Sequence, residues 1–229
     1  MTESSAVRAH EALGELLEAR RSCRAFLDQP VPRGVIEQIL GLAQLTPSWC
    51  NTQPWAVAVT EGEGTERFRK GLGEYVRSSP QAPDFEFPRA YQGVYQERRK
   101  ECALQLYTSV GIEPGDRAAS AEQTMKNFEL FGAPHVAVIT SDEALGTYGA
   151  VDCGLYVSTF LLAAQSLGVA AVPQAALAGS APYVREFFGI GADRKVVCAI
   201  SFGYADDAHP ANDFSTTRAA VDTVVTWAS

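Results

Sequence analysis

The heptapeptide RRSCRAF, from Arg20 to Phe26, places three arginines within five positions of a chain whose formal net charge is −8. Apolar residues recur at helical spacing before it, from 6 to 19, and again after Pro32, a residue that is favoured at the start of a helix. The arginines are therefore predicted to lie in a short connection between two helices. Most arginine runs of this kind are solvated surface patches, so the stretch alone does not identify a ligand.

The composition limits the classes of function that the chain can have. Of the 229 residues 46% are hydrophobic, which is enough for a full core, and we expect a single domain over residues 1–229. A net charge of −8 argues against nucleic acid or an anionic membrane as a general partner. Residues 1–21 lack the basic start and apolar run of a targeting peptide, so we expect a cytoplasmic protein.

The five cysteines and three histidines are too scattered for a disulfide framework or a metal site. The sequence contains no C-x-x-C pair and no two histidines four residues apart. We therefore predict free thiols and no metal.

The remaining elements predict an α+β protein, because strands and helices do not alternate strictly. Apolar, β-branched runs predict strands at 55–60, 133–140, 168–177 and 195–204. Helical spacing predicts helices at 65–76, 94–110, 121–131 and 181–188, and the second helix is expected to end at Pro47. Residues 148–167 are apolar around the whole circumference, which predicts a core or subunit-interface helix rather than a membrane span.

Residues 80–110 include an irregular excursion that is rich in proline and aromatic residues, and they are predicted to form a lid or a wall of a substrate pocket. Tyr91 and Tyr95 could hold a planar acceptor, and Arg98 could attract a carboxylate or a nucleotide phosphate. The alternative is a surface excursion that is packed by its own aromatic side chains.

Three further segments have polar groups that suit a ligand. The hydroxyls and Arg218 of FSTTRAA suit a phosphate, and the carboxamides of PSWCNTQPW can meet the edge of a flat heterocycle. The small residues of VPQAA, from 172 to 176, allow backbone N–H groups to approach a ligand closely. Each segment taken singly also fits an ordinary turn.

Together these segments resemble the nitroreductase family of FMN-dependent flavoproteins. The resemblance covers nearly the whole chain, in the order of the family, through RRSCRAF with PVPRGVIEQIL, TPSWCNTQPW, NFELFGAPHVAVI, LGVAAVPQAAL and FGYADDAHPANDFSTTRAAVDTVVTW. It implies a nitroreductase-like α+β fold with a central mixed or antiparallel sheet flanked by helices. It also implies an interlocked homodimer with FMN in two sites at the subunit interface, across which helix 148–167 packs.

The resemblance assigns the flavin contacts position by position. It places Arg20, Ser22 and Arg218 on the FMN phosphate and ribityl chain, with Arg21 nearby. It places Arg24 at the pyrimidine edge, where negative charge develops when the flavin is reduced. The other implied contacts are Pro47, Ser48 and Asn51 from the partner subunit, Asn127 at the polar edge of the ring, and Pro173, Gln174, Ala175 and Ala176 beside N5 and O4.

The implied activity is a ping-pong exchange in which NAD(P)H gives hydride to flavin N5 and leaves, after which a nitroaromatic or quinone acceptor is reduced. No catalytic residue is required from the protein, because the flavin carries the hydride. The sequence has no G-x-G-x-x-G segment in a strand-to-helix context, so the choice between NADH and NADPH stays open.

Trp49 and Cys50 stand where many relatives carry small residues, and they join Tyr91, Tyr95 and Arg98 as substrate-pocket candidates. Trp49 either narrows the pocket, stacks on an aromatic substrate or packs at the dimer interface, and Cys50 is expected to be a passive pocket residue. Two other functions remain: a flavin-dependent dehydrogenase or reductase of a small metabolite in a biosynthetic pathway, and a flavin-binding protein without turnover.

Overall fold

A computed structural model describes residues 3–228, which form seven α-helices and one four-stranded sheet. The helices are α1 Glu3–Ala19, α2 Arg33–Ala43, α3 Glu63–Ser78, α4 Val94–Ser109, α5 Arg117–Met125, α6 Gly146–Ser166 and α7 Ala181–Phe188. The strands are β1 Trp55–Val59, β2 His135–Asp142, β3 Ala170–Gln174 and β4 Arg194–Gly203. The α+β class expected from the sequence is confirmed.

The sheet has the strand order β1-β2-β4-β3, and all three strand pairs are antiparallel. The apolar runs of β2 and β4 form its buried centre, as their composition predicts. Phe68 of α3 and Val184 of α7 belong to one of the two core clusters. Ile39 of α2 and Phe160 of α6 belong to the other, so the sheet and these four helices account for both parts of the core.

Helix α6 is apolar on two opposite sides, only one of which this chain covers. Tyr156 and Phe160 are buried in the core, whereas Tyr148, Val151 and Leu155 are 61%, 52% and 45% exposed. Among the described residues, none of the helices combines the length and hydropathy of a bilayer span.

The arginine-rich segment runs along the β3 edge of the sheet. Ser22 forms a parallel bridge with Ala171, and the Cys23 N–H donates to the Ala171 carbonyl at 3.2 Å. The carboxamide of Asn212 clamps the next two residues: its Oδ1 accepts from the Arg24 N–H at 2.7 Å and its Nδ2 donates to the Ala25 carbonyl at 2.9 Å. This clamp ties the start of the chain to its end.

Two of the predicted helices have wrong boundaries. The helix expected at 121–131 is α5, which starts earlier because the Asp116 carboxylate accepts the Ala119 N–H at 2.9 Å. Leu130 and Phe131 do not extend it: they are buried in the core with φ of 58° and 53°. Helix α2 ends at Ala43, not at Pro47. The Thr46 hydroxyl donates to the Ala43 carbonyl at 2.7 Å and so satisfies an acceptor at the end of the helix.

Gly203, at the end of β4, tests the packing of the sheet. A Cβ at this position would lie 2.6 Å from Pro134 Cδ, so we expect Gly203→Ala to lower the free energy of unfolding by about 1–3 kcal/mol. Denaturant melts measure the change. The control is Gly64→Ala in α3. A Cβ at this position would meet no atom within 4 Å, so the free energy of unfolding should stay the same or rise slightly. Equal midpoints for Gly203→Ala and the wild type would contradict the packing described here.

Candidate active site

A cavity of about 400 Å³ brings the two arginine-containing segments together. The lining comes from the end of α1, the segment after it, α4 and the C-terminal segment: Leu17, Glu18, Arg20, Arg21, Ser22, Arg24, Cys102, Phe214, Ser215, Thr216 and Arg218. Four guanidinium groups thus share one cavity with one carboxylate among its lining residues. The structure confirms that these sequence-distant arginines are neighbours.

The charges in this cavity are poorly compensated by the protein. Arg21 pairs with Asp207, with 2.5 Å between Nη2 and Oδ1. Arg20 and Arg24 have no ion pair with any carboxylate of residues 3–228. Burial, and next the charge of Arg218, lower the pKa of Arg20, because both disfavour its protonated form.

Arg24 is held in place by contacts that leave its charge unpaired. Its Nη1 donates to the Ser22 carbonyl at 3.3 Å, and its guanidinium carbon lies 5.6 Å from the centre of the Phe214 ring. Burial lowers the pKa of Arg24. Arg24 is half-buried, and an arginine that is partly desolvated without a carboxylate partner is destabilised unless a ligand supplies the negative charge.

Arg218 is oriented by its own turn. Its Nη1 donates to the Thr216 hydroxyl at 2.8 Å and to the carbonyls of Thr216 and Thr217 at 3.1 and 2.9 Å. Guanidinium and hydroxyl groups that meet in one cavity suit the oxygens of a phosphate monoester. The cavity therefore fits a phosphate dianion.

Asn127 and Gln174 are also brought together. The Gln174 Nε2 donates to the Asn127 carbonyl at 2.9 Å, and the Ser201 hydroxyl donates to Gln174 Oε1 at 2.5 Å. Gln174 is buried, and its carboxamide is therefore occupied by the protein. What the segment offers a ligand is backbone: Pro173 and Gln174 end the edge strand β3, and Ala175 and Ala176 begin the turn after it.

The loop from Pro47 to Gln53 has an unusual backbone conformation. Three non-glycine residues have left-handed backbone angles, with φ of 52° at Cys50, 56° at Asn51 and 48° at Gln53. Such conformations are costly and persist where surrounding contacts fix them, which is frequent at functional sites.

Two contacts fix this loop. The Ser48 hydroxyl accepts from the Gln53 N–H at 2.9 Å. The carboxylate of Asp152, buried in α6, accepts the Trp49 N–H at 3.2 and 3.3 Å. Pro47 and Asn51 are exposed and have room to meet a ligand or another chain.

The loop and the arginine cavity lie at opposite edges of the sheet. The loop leads into β1, which is one edge strand, whereas Ser22 bridges to Ala171 in β3, the other edge strand. None of residues 47–53 lines the arginine cavity. Within one chain, the two groups of predicted flavin contacts therefore lie at opposite edges of the sheet.

The five substrate-pocket candidates do not form one cluster within the chain. The Trp49 ring contacts Tyr148 of α6 edge to face, with 4.4 Å between centroids, and Cys50 is exposed beside it. Tyr95 is 66% exposed. Tyr91 precedes α4 and lies under the guanidinium of Arg99, and Arg98 lines a cavity formed by α4 and residues 216–219.

The sequence did not reveal every residue at these sites. Cys102 and Phe214 reach the arginine cavity through packing that no local pattern indicates. Asp152 could have been found from the sequence, because a carboxylate within an apolar helix needs a hydrogen-bond partner when it is buried. Within residues 3–228, no three histidine, cysteine or acidic side chains are grouped so that they could hold a metal ion.

Comparisons with known proteins identify a family and similar folds. The family model "Nitroreductase family" matches residues 17–204. A 4-nitrobenzoate reductase from Pseudomonas putida is 33% identical over 204 residues, which cover 89% of each chain. Nitroreductase NfnB from Mycolicibacterium smegmatis is 34% identical over 212 residues, covering 92% of this chain and 90% of the relative.

A solved structure with a similar fold is described with FMN and NADPH. The FMN-dependent nitroreductase NfnB from Mycobacterium smegmatis, in complex with NADPH, superposes with a TM-score of 0.92 at 32% identity, covering 96% of this chain and all of that one. The nitroreductase-like fold implied by the sequence is thereby confirmed. By both sequence and fold, the chain belongs to the nitroreductase family.

Proposed function

We propose that this protein is an FMN-dependent oxidoreductase that takes hydride from NADPH or NADH and reduces nitroaromatic or quinone acceptors. The observation that carries the proposal is the cavity in which Arg20, Arg24 and Arg218 have no carboxylate partner among residues 3–228. Relatives that match over most of the chain are named as FMN-dependent and 4-nitrobenzoate-reducing enzymes, which supports the same cofactor and acceptor class here.

The residues divide the binding of FMN between them. Arg20, Arg218 and the Ser22 segment would hold the phosphate. Arg21 is already paired with Asp207, so its part is to shape the cavity wall. Arg24 would lie at the pyrimidine edge, where a fixed cation stabilises the negative charge that develops there.

When bound, FMN supplies the two-electron hydride chemistry, and we assign no nucleophile or general acid to the protein. The contacts of Gln174 with Asn127 and Ser201 hold this segment in place, and the backbone of residues 174–176 would face the N5 edge of a bound flavin. Preorganised donors of this kind cost no rearrangement during the reaction. The protein therefore binds, orients and stabilises charge.

We further propose that the functional unit is a homodimer with the flavin at the interface. The partner subunit's loop 47–53, including Asn51, would complete the arginine cavity that one chain leaves open. The exposed apolar side of α6, with Tyr148, Val151 and Leu155, supports this, because large apolar patches mark interaction surfaces. Trp227, which is 86% exposed, is a second apolar side chain that a partner subunit could cover.

The domain assignment is likewise a proposal: one domain over residues 1–229 with residues 80–110 as a lid. Asp84 anchors the first part of the segment through an ion pair with Arg185 and by accepting the Val196 N–H at 2.7 Å. Helix α4 has no buried residue, which suits a movable wall. A cytoplasmic location stays a prediction.

Arg20→Gln tests the assignment of the phosphate. We expect the dissociation constant of FMN to rise about 10- to 100-fold, since a charge-assisted hydrogen bond is lost. The melting temperature of the FMN-free protein should hold or rise, because the repulsion from Arg218 is removed. Flavin fluorescence titration and thermal melts measure the two effects.

The matched control is Arg33→Gln. Arg33 is an exposed arginine that pairs with Glu37 and Glu61 outside the cavity, so FMN affinity should stay within about twofold. Unchanged FMN affinity in Arg20→Gln would show that the FMN phosphate does not bind in this cavity.

An anaerobic absorbance titration tests the activity itself. The flavin absorbance should bleach on addition of NADPH or NADH and return on addition of 4-nitrobenzoate or a quinone. A protein that binds FMN but never bleaches would contradict the reductase and favour a flavin-binding role. Bleaching without reoxidation by either acceptor would favour the biosynthetic dehydrogenase.

A further inference from the structure

Helix α6 contains a buried carboxylate for which the described residues provide no cation. Asp152 is 6% exposed and forms no ion pair with any basic side chain of residues 3–228. Within this part of the chain, the one donor to its carboxylate is the Trp49 N–H. A buried carboxylate with so little compensation is destabilising, so stability does not explain why an aspartate stands at this position.

Helix α6 holds the loop 47–53 through Trp49, and it does so at two points. The Trp49 N–H donates to the Asp152 carboxylate at 3.2 and 3.3 Å. The Trp49 ring packs edge to face on Tyr148, which lies one helical turn before Asp152, with 4.4 Å between centroids. The backbone and the ring of Trp49 are therefore both engaged by the helix of their own chain.

The two residues that follow Trp49 depend on this anchor. Cys50 and Asn51 have left-handed backbone angles, with φ of 52° and 56°, and such conformations persist where surrounding contacts fix them. The Asn51 side chain is exposed and makes no hydrogen bond with any of residues 3–228. The backbone of the loop therefore determines where this carboxamide lies.

We propose that Asp152 is a positioning residue for FMN that acts across the subunit interface. The proposal rests on the homodimeric flavin enzyme proposed above, in which the loop 47–53 of one chain completes the arginine cavity of the other. Asp152 holds the Trp49 N–H, and this anchor sets the backbone that directs Asn51 towards the flavin of the partner's site. Because Asp152 is buried, it acts through the loop and not by contact with the flavin.

Two replacements of Asp152 test whether the hydrogen bond to Trp49 carries the effect. Asp152→Ala removes the acceptor of the Trp49 N–H, and we expect the dissociation constant of FMN to rise about tenfold. Asp152→Asn keeps an oxygen acceptor, so its dissociation constant should stay within about threefold of that of the wild type. Flavin fluorescence titration measures both. An unchanged affinity in Asp152→Ala, or an equal loss in the two variants, would overturn the proposal.

The FMN-free protein gives a readout that does not involve the flavin. Asp152→Ala removes a buried charge together with one hydrogen bond, so the melting temperature should stay within about 4 °C of that of the wild type. The Trp49 amide should exchange its hydrogen with solvent faster in this variant, because its acceptor is lost. Exchange of the Trp49 amide at the wild-type rate would contradict the anchor.

The matched control is Asp116→Ala. Asp116 likewise accepts a backbone N–H, that of Ala119 at 2.9 Å, but it does so at the start of α5. The affinity of this variant for FMN should stay within about twofold of that of the wild type.

A heterodimer with one intact arginine cavity shows in which subunit Asp152 acts. One chain carries Arg20→Gln with Arg218→Gln, so the intact cavity is that of the other chain, and the loop of the variant chain completes it. Asp152→Ala in the variant chain should weaken FMN binding about tenfold, whereas the same change in the other chain should alter it less than about twofold. Equal loss from both placements would indicate general destabilisation, and the reverse pattern would confine the effect to one chain, so either result would overturn the proposal.

The two proposals can fail separately. Flavin whose binding depends on Asp152 in this way but which neither NADPH nor NADH reduces would support the positioning role and contradict the reductase. A working reductase whose affinity for FMN is the same in Asp152→Ala and the wild type would contradict the positioning role alone.

Discussion

The proposed site depends on a group of like charges, of which only Arg21 is paired with a carboxylate among the described residues. Arg20 lies close enough to Arg218 for the charge of Arg218 to lower the pKa of Arg20. Arg24 is half-buried beside them and has no carboxylate partner among residues 3–228. Asn212 holds this arrangement together by a bond to the Arg24 backbone, 188 residues away in the sequence. Desolvation and mutual repulsion both destabilise the charged arginines in the absence of a ligand. A bound dianion would replace this repulsion by attraction between each arginine and the ligand.

The order of the strands determines how the rest of a site can be built around that cavity. The arginines are attached to β3 and the polar loop leads into β1, so the sheet separates them by its full width. Helix α6 packs on both edge strands, and its Asp152 fixes the loop from below. The same helix presents an exposed apolar side, so the element that shapes one half of the site also offers the surface through which a second chain can supply the other half.

Much of this could be predicted from residue types, and the remainder depends on packing. The phosphate-binding role of RRSCRAF and FSTTRAA was predicted from their arginines and hydroxyls together with the family resemblance, because either segment alone also fits a solvated surface patch or an ordinary turn. Helix α4 gave no comparable signal: it has no buried face, so periodicity could not indicate that Gln105 reaches a cavity. The end of α5 was missed because the burial of Leu130 and Phe131, at positive φ, overrides a helical pattern.

The most direct test of the account is the flavin content of a heterodimer, purified with two different tags, in which one chain carries Arg20→Gln with Arg218→Gln and the other carries Asn51→Ala. If each site takes the cavity from one chain and the loop from the other, one site is intact and one is doubly defective. We expect about half of the wild-type FMN content, well above that of either variant homodimer. A heterodimer no better than the variant homodimers would show that each chain builds its own site.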